Sequence, residues 1–394
     1  MKIGIDARFY DEAGPGRYVK NLIFELEKID QQNSYKIFLK DSNFNSYQPS
    51  NPKFSKIKAN YHWYSLTEQL LFPIKIWQSG VDLMHFTQFN IPVFWPGPFV
   101  VTIHDMIMHE YSTERDTTRH SYIYKIKKLA YLFVFWWACR RAIRVLVPSL
   151  ATRDDLINKL KIRKDKISVT YEGVGGVEEY QREDLHPSGL SSPNPKGVNQ
   201  DAKILEQYGV DKPYLLYVGS MYPHKNLERM LRAFKILINR FNFPGKLVII
   251  GKESDFSRRL RNLVAEEKLS NRVIFPGSLT DNGYLSDSET YAFYREALLF
   301  IFPSLKEGFG LPPLEAMKFG IPVTASKVSC IPEVCSSAAQ YFDPLSIDDM
   351  AARINEVVSD GARRKMLIEA GYKRIKDFSW KVMAKQTLST YLGL

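Results

Sequence analysis

The stretch PYLLYVGSMYPHKNLERMLRAFKILINR, Pro213–Arg240, decides the reading of the fold. It opens on a buried strand, PYLLYVGS (Pro213–Ser220), turns through Pro223, and runs on as a helical segment over Asn226–Arg240. Its strand is continuously apolar rather than alternating, which suits a parallel sheet covered on both faces. Outward from it, KLVIIG (Lys246–Gly251), RVIFPG (Arg272–Gly277), LLFIFPS (Leu298–Ser304) and IPVTAS (Ile321–Ser326) are further strands, spaced to leave room for helices. The first half has the same character. KIGID (Lys2–Asp6) is followed by a Gly-Pro-Gly turn and a helix from about Arg17 to Ile29, and then by YKIFL (Tyr35–Leu39), VDLMHF (Val81–Phe86), PFVVTIHD (Pro98–Asp105), RVLVPS (Arg144–Ser149) and KISVTYEGV (Lys166–Val174). Strands alternating with helical segments are the mark of α/β layers.

Between the halves the chain turns polar and rich in Pro, Gly and Ser, as in HPSGLSSPNPKGVNQ, and is expected to be a linker or surface loop. The expected division is a Rossmann-like domain over 1–178, a linker over 179–200 and a second Rossmann-like domain over 201–376. Two doubly wound domains facing across a cleft are the expected architecture. At 394 residues the chain has room for two or three domains of about 150 residues.

Composition narrows the classes. The apolar share of 45% and charged share of 25% exclude disordered, collagenous and low-complexity chains. Three cysteines, odd and sparse, argue against a disulfide framework and for a reducing compartment. The N-terminus reads as a strand and lacks the apolar stretch of a secretory signal, so a cytoplasmic protein is expected. A net charge of +11 favours anionic partners (phosphates, nucleic acid or acidic lipid headgroups) without choosing among them. The most apolar run, LAYLFVFWWAC (Leu129–Cys139), is too short to cross a bilayer, which takes about 20 residues. Its flanks are basic, with Lys125, Lys127 and Lys128 before it and Arg140, Arg141 and Arg144 after it. It reads either as a buried helix with charged ends or as a helix whose aromatic, basic face touches a membrane surface.

Three loops and one strand end carry chemistry. Gly14-Pro15-Gly16-Arg17 joins the first strand to the first helix, where a helix N-terminus and Arg17 suit an anion, though a tight turn accounts for it equally. Ser220–Asn226 occupies the corresponding place in the second half, and Lys225 is a compact cation suited to a phosphate. Glu307-Gly308-Phe309-Gly310-Leu311-Pro312-Pro313-Leu314-Glu315 is the strongest signal. Pro312-Pro313 sets a helix start and places Glu315 in its first turn, where the dipole favours a carboxylate. Capping does not account for Glu307, which stands before a glycine turn and is able to accept bonds from two sugar hydroxyls. His104-Asp105 closes PFVVTIHD on the expected ligand edge, whereas His85 reads as structural. No Asp-any-Asp triplet occurs and the cysteines lack metal-ligand spacing, so no metal is expected.

Together these residues resemble the family 4 glycosyltransferases, retaining enzymes of the two-domain GT-B fold. EGFGLPPLEAM (Glu307–Met317) is similar to that family's Glu-x7-Glu motif, and VGSMYPHKNLERMLRAF (Val218–Phe234) to its phosphate-binding loop and helix. GIDAR with GPGRY resembles its N-terminal glycine loop, TIHD the strand end facing the donor sugar, and VTYEGV the closing strand of the N-terminal domain. FSWKVMAKQTLSTYL (Phe378–Leu392) resembles the C-terminal helix, so 377–394 is expected to pack back towards the N-terminal domain. The resemblance covers almost the whole chain. YSLTEQLLFPIKI and DLMHFTQFNIP are particularly like bacterial members described as mannosyltransferases.

The resemblance implies roles. Glu307 would orient the donor sugar through its hydroxyls, and Glu315 would bind the ribose. Lys225, Ser220 and the glycine loop of Gly14 and Gly16 would hold the diphosphate. The amides of Phe309, Gly310 and Leu311 would serve sugar and phosphate, His104 would contact the sugar and help the acceptor enter, and Ser278 and Leu279 would meet the base. Many relatives carry arginines where Ser220 and His224 stand here, so one cationic contact to the diphosphate would be either lost or supplied by Arg17. The expected activity is transfer of a hexose, with mannose as the candidate, from a GDP- or UDP-linked donor to a glycan or lipid-linked acceptor in cell-surface polysaccharide synthesis. No cofactor or nucleic acid is expected, and the anionic inner face of the membrane is the expected peripheral partner. The competing readings are a GT-B-fold sugar-nucleotide epimerase and a non-catalytic nucleic-acid-binding protein.

Overall fold

The computed structural model describes residues 1–12, 14–111, 121–175 and 195–393. The chain divides into two units, one of Met1–Glu178 with Phe378–Leu394 and one of Glu179–Asp377. Residues 179–194 of the expected linker lie outside the described residues. Its last residues, 195–200, are not loop but the start of helix Pro195–Gln207, with a proline in the first turn, where the missing N–H costs nothing.

The first unit is built on strands β1 (Lys2–Asp6), β2 (Ser34–Leu39), β3 (Phe54–Lys58), β4 (Leu83–Phe86), β5 (Phe99–Thr102), β6 (Arg144–Val147) and β7 (Ile167–Val169). They are all parallel, in the order β3-β2-β1-β4-β5-β6-β7. The order reverses between β1 and β4. Helix α1 (Pro15–Ile29) packs with the C-terminal helix, Trp380–Leu392. Helices α2 (Leu66–Gln78) and α3 (Ser121–Arg141) share another core, with Phe72, Ile76, Phe135 and Ala138 set among Met84, Phe99 and Val145 of the sheet. The C-terminal helix is tied into this unit by Trp380 Nε1, which donates to Gly175 O at 2.7 Å. A Cβ on Gly173 would lie 2.2 Å from Trp380 N, so only glycine admits the helix there. The apolar run Leu129–Cys139 is only in part the buried helix of the first expectation. Phe135, Ala138 and Cys139 are buried, whereas Leu129, Phe133 and Trp136 are exposed.

The second unit repeats the pattern with β8 (Tyr214–Val218), β9 (Lys246–Ile250), β10 (Val273–Ile274), β11 (Leu299–Phe302), β12 (Val323–Ser326) and β13 (Ala339–Phe342). Again all pairs are parallel, in the order β10-β9-β8-β11-β12-β13, reversing between β8 and β11. Leu215, Tyr217, Leu247 and Ile249 of the sheet meet Met230 and Phe234 of the helix Leu227–Phe241 and Met350 and Ile354 of the helix Ile347–Ser359.

Strands β3 and β13 are absent from the sequence reading. Both are sheet edges, and FSKIK and AQYF are partly exposed, so neither carries the continuous apolar run of a central strand. RVIFPG keeps only two residues as strand, because Pro276 begins a 3-10 turn, Pro276–Leu279.

Candidate active site

In the second unit the predicted residues gather beyond the carboxyl ends of β8 and β11, the point where strand order reverses and where ligands of such sheets bind. After β8 the chain passes through Gly219, whose φ of 153° suits glycine, and its amide donates to Ile250 O at 2.9 Å. Tyr217 Oη, buried in the strand, donates to Ser220 O at 2.7 Å, and Ser220 itself is exposed. A 3-10 turn, Pro223–Lys225, then presents Lys225. Asn226 follows in the left-handed region, φ 60°, where Asn is among the tolerated side chains.

Asn226 was not singled out by sequence, yet it fixes the loop. Its buried Nδ2 donates to Pro303 O at 3.0 Å, after β11, and to Pro344 O at 2.8 Å, after β13. Leu305 N donates to His224 O at 2.8 Å. The lysine loop is thereby clamped to the loop that carries Glu307. The Lys225 ammonium and the Glu307 carboxylate meet at 2.6 Å, with side chains 14% and 9% exposed. A charge-assisted pair that is largely withdrawn from water is strong locally, and each partner depends on the other.

Glu307 is held at its backbone by residues that the sequence reading left without a role. Ser329 Oγ donates to Glu307 O at 2.8 Å, and Cys330 Sγ to Phe309 O at 3.1 Å. Gly310, at φ 95°, caps the short helix Leu311–Lys318. Pro312 and Pro313 lack N–H groups, so the amides that this helix start offers stop at Leu311. Phe309 is buried and Leu311 partly so. Glu315 is not where local geometry was expected to put it. The helix begins at Leu311, so Glu315 sits in the second turn, beyond first-turn capping range. Tyr294 Oη donates to its Oε2 at 3.5 Å.

His224 lies in the same 3-10 turn as Lys225. Burial first, and the Lys225 ammonium beside it second, hold its imidazole down at about 4. At neutral pH it adds no positive charge. Ser278 and Leu279 lie in the turn after β10. Ser278 Oγ donates to Phe275 O at 2.7 Å, and Leu279 is exposed.

The other predicted residues belong to the first unit. Gly14, at φ 67°, caps α1, and Pro15 opens it. Gly16 is glycine for packing, since a Cβ there would lie 2.5 Å from Tyr10 O. Its amide, expected on the diphosphate, donates to Glu12 O at 2.9 Å. Arg17 Nη2 donates weakly to Gly175 O at 3.4 Å. His104 follows β5, donating from Nε2 to Thr87 O at 3.0 Å, with Nδ1 3.4 Å from Glu172 Oε1. Tyr18 packs edge-on against its ring. Glu172 lies in VTYEGV, and its partnership with His104 was not foreseen. His85 is structural, as read: it is buried, bonded to Thr102 Oγ1 at 2.8 Å and Tyr391 Oη at 2.5 Å, and held by burial down at about 3. Arg8, from GIDAR, is fully buried between Asp6 and Glu68, each 2.7 Å away, and its charge is spent within the fold. Among the described residues no group of three or more His, Cys, Asp or Glu side chains is placed to hold a metal ion.

Two family descriptions match the chain. Residues 14–175 match "Glycosyltransferase Family 4" and residues 201–374 match "Glycosyl transferases group 1". The chain is 32% identical over 198 residues to O-antigen chain mannosyltransferase B of Escherichia coli, covering 50% of each chain. It is 24% identical over 282 residues to the O-antigen chain mannosyltransferase RfbU of Salmonella typhimurium, covering 72% of this chain and 66% of that one. The matched stretch is thus half the length of the first relative and under two thirds of the second. In three dimensions it is similar to Anabaena Alr3699/HepE, solved with UDP and glucose, at a TM-score of 0.71, 18% identity and full coverage of both chains. With a match in each unit and two parallel sheets of this order, the chain belongs to the family 4 glycosyltransferases, of the GT-B fold.

Proposed function

We propose that the chain transfers a hexose, with mannose as the first candidate, from a GDP- or UDP-linked donor to a glycan or lipid-linked acceptor, with retention at the anomeric carbon. The observation that carries this reading is the meeting of Lys225 and Glu307 at the β8–β11 switch point. Breaking the bond between sugar and diphosphate builds negative charge on the leaving group, and fixed positive charge there lowers the barrier. Lys225 is the cation in place. To reach a phosphate it must exchange its carboxylate partner for phosphate oxygens, and that exchange releases Glu307 to accept sugar hydroxyls. Donor binding and site assembly are then one event. The names of both relatives, mannosyltransferases of O-antigen chains, support mannose and cell-surface polysaccharide.

Retention follows front-face attack, in which a phosphate oxygen of the donor takes the acceptor proton. Ser278 and Leu279 take the base, and Glu315 the ribose. His104, oriented by Thr87 O and Glu172, contacts the donor sugar and helps the acceptor enter. The enzyme works in the cytoplasm at the inner face of the membrane.

The test is product analysis. Purified protein is incubated with GDP-mannose, UDP-glucose and related donors, with and without saccharide or lipid-linked acceptors. The account expects acceptor-dependent release of nucleoside diphosphate and a product whose anomeric configuration matches the donor. Isomerisation of the nucleotide sugar without any acceptor would replace this reading with an epimerase.

A further inference from the structure

The turn Glu307–Phe309 is gripped by two residues to which the donor chemistry assigns no part. Ser329 and Cys330 follow β12 and lead into the short helix Ile331–Cys335. Ser329 Oγ donates to Glu307 O at 2.8 Å, and Glu307 N donates back to it at 3.4 Å. One hydroxyl thus closes on both main-chain groups of the glutamate. Cys330 Sγ lies 3.1 Å from Phe309 O and 3.4 Å from Glu307 O, so its one S–H is shared between the two carbonyls. Burial first, and the Glu307 carboxylate second, push the Cys330 thiol well up, so it keeps its proton and stays a donor. The pair is itself anchored. Lys327 N donates to Phe342 O at 2.9 Å, and the Arg374 guanidinium donates to Glu333 O at 2.6 Å and to Val334 O at 2.8 Å.

Two features separate this grip from ordinary packing. Ser329 has a φ of 56°, in the left-handed region that is costly for a residue with a Cβ. Glycine would take that backbone without the cost, but it would leave Glu307 without the hydroxyl. Backbone strain kept beside a reactive loop points to a use for the side chain that keeps it. The second feature is direction. The Phe309–Gly310 peptide is trans, so with Phe309 O turned to Cys330 the Gly310 N–H is turned the opposite way. Gly310 and Lys225 share one neighbour, the Phe302 ring. A Cβ on Gly310 would lie 3.5 Å from Phe302 Cε1, and Lys225 Nζ stands 5.9 Å from the ring centroid. The amide that Cys330 turns is therefore in the neighbourhood of the ammonium.

We infer that Ser329 and Cys330 are positioning residues for the reaction: by bonding the main chain of Glu307 and Phe309 from the β12 side, they fix the direction of the Glu307 carboxylate and of the Gly310 amide. The inference rests on the donor reading proposed above and deepens it, because a third loop, after β12, joins those after β8 and β11. The two residues divide the task. Ser329 acts through Glu307 and so on the sugar, and Cys330 acts also through Gly310 and so on the diphosphate. In Ser329→Gly the lost hydroxyl bonds and the relieved backbone are opposite in sign and similar in size, so folding stability should barely move. The loosened glutamate should nevertheless slow the reaction, because catalysis depends on reacting groups being held within fractions of an ångström.

Steady-state kinetics, with calorimetric titration of GDP-mannose against GDP and of UDP-glucose against UDP, tests it. In Ser329→Gly, kcat should fall about tenfold with a smaller change in donor KM, and the thermal midpoint should stay in place. Affinity for the nucleotide sugar relative to the bare diphosphate should fall about fivefold, with affinity for the diphosphate kept. Cys330→Ala should weaken the bare diphosphate as well, by about threefold, and Cys330→Ser, which keeps a donor, should recover most of that loss. Added to Glu307→Ala, Ser329→Gly should lower kcat no further, because it acts through the glutamate already removed. An unchanged kcat and affinity ratio in Ser329→Gly would overturn the inference. So would a full tenfold loss on top of Glu307→Ala, or a thermal midpoint that falls in step with kcat in every variant, which would leave packing alone. Isomerisation of nucleotide sugars by the wild type without acceptor would refute the transfer reading only, and the affinity ratio in Ser329→Gly would still decide the positioning.

Discussion

Lys225 and Glu307 are 82 positions apart in the chain and 2.6 Å apart in space. Each is legible alone in the sequence, the lysine as a cation in a strand–helix loop and the glutamate as a carboxylate that capping does not account for. Their pairing is not legible, because it depends on β8 and β11 becoming neighbours across the switch point. The same holds for Ser329 and Cys330, which hold Glu307 through its main chain and carry no local signal of doing so. The two glutamates should separate kinetically. On the role proposed for Glu307, orienting the donor sugar, Glu307→Ala should lower kcat by about 10²-fold with a smaller change in donor KM. On the role proposed for Glu315, binding the ribose, Glu315→Ala should raise donor KM by about tenfold with kcat nearly kept. Steady-state kinetics with the donor varied reads both. Equal effects on both parameters in both variants would mean that the loop collapses and that the division of labour is wrong.

At the scale of elements, the central strands of both sheets were legible because they are apolar on both faces. The edge strands β3 and β13 were not, since a half-exposed edge gives up that signal. Glu315 falls just beyond the first turn rather than in it, because the helix begins at Leu311, one residue ahead of the two prolines that mark its start in the sequence. Asn226 joins three elements and is the best element-scale test. Asn226→Gly keeps the left-handed backbone and removes two buried hydrogen bonds, so it should cost about 2–3 kcal/mol in denaturant unfolding. An unchanged unfolding midpoint would show that the clamp contributes nothing. His85 joins β4 to the C-terminal helix, and its pKa falls from an ordinary 6.5 to about 3 in the fold. Below about 6.5 the unfolded chain takes up a proton that the folded chain refuses, so this histidine's contribution is present above 6.5 and is lost as pH falls towards about 3. Thermal midpoints should decline through that window, and less steeply in His85→Gln. Identical slopes for the two proteins would remove His85 from the acid sensitivity.

At the scale of the molecule, two sheets of the same handed order place their reactive loops by the same rule, and the family membership follows from both halves rather than one. The sequence carries no Asp-any-Asp triplet, and the diphosphate charge is assigned to Lys225 and helix N-termini. Turnover should therefore survive EDTA, and activity abolished by the chelator and restored by magnesium would contradict that assignment. The central claim is that Lys225 is the donor's phosphate ligand and Glu307 its partner until the donor arrives. Calorimetric titration of GDP and UDP into the wild-type protein, Lys225→Ala and Glu307→Ala measures it most directly. Lys225→Ala should weaken the preferred nucleoside diphosphate by about tenfold or more, whereas Glu307→Ala should bind it as well as the wild type or better, because the competitor for Lys225 is gone. A folded Lys225→Ala protein with undiminished affinity would contradict the account.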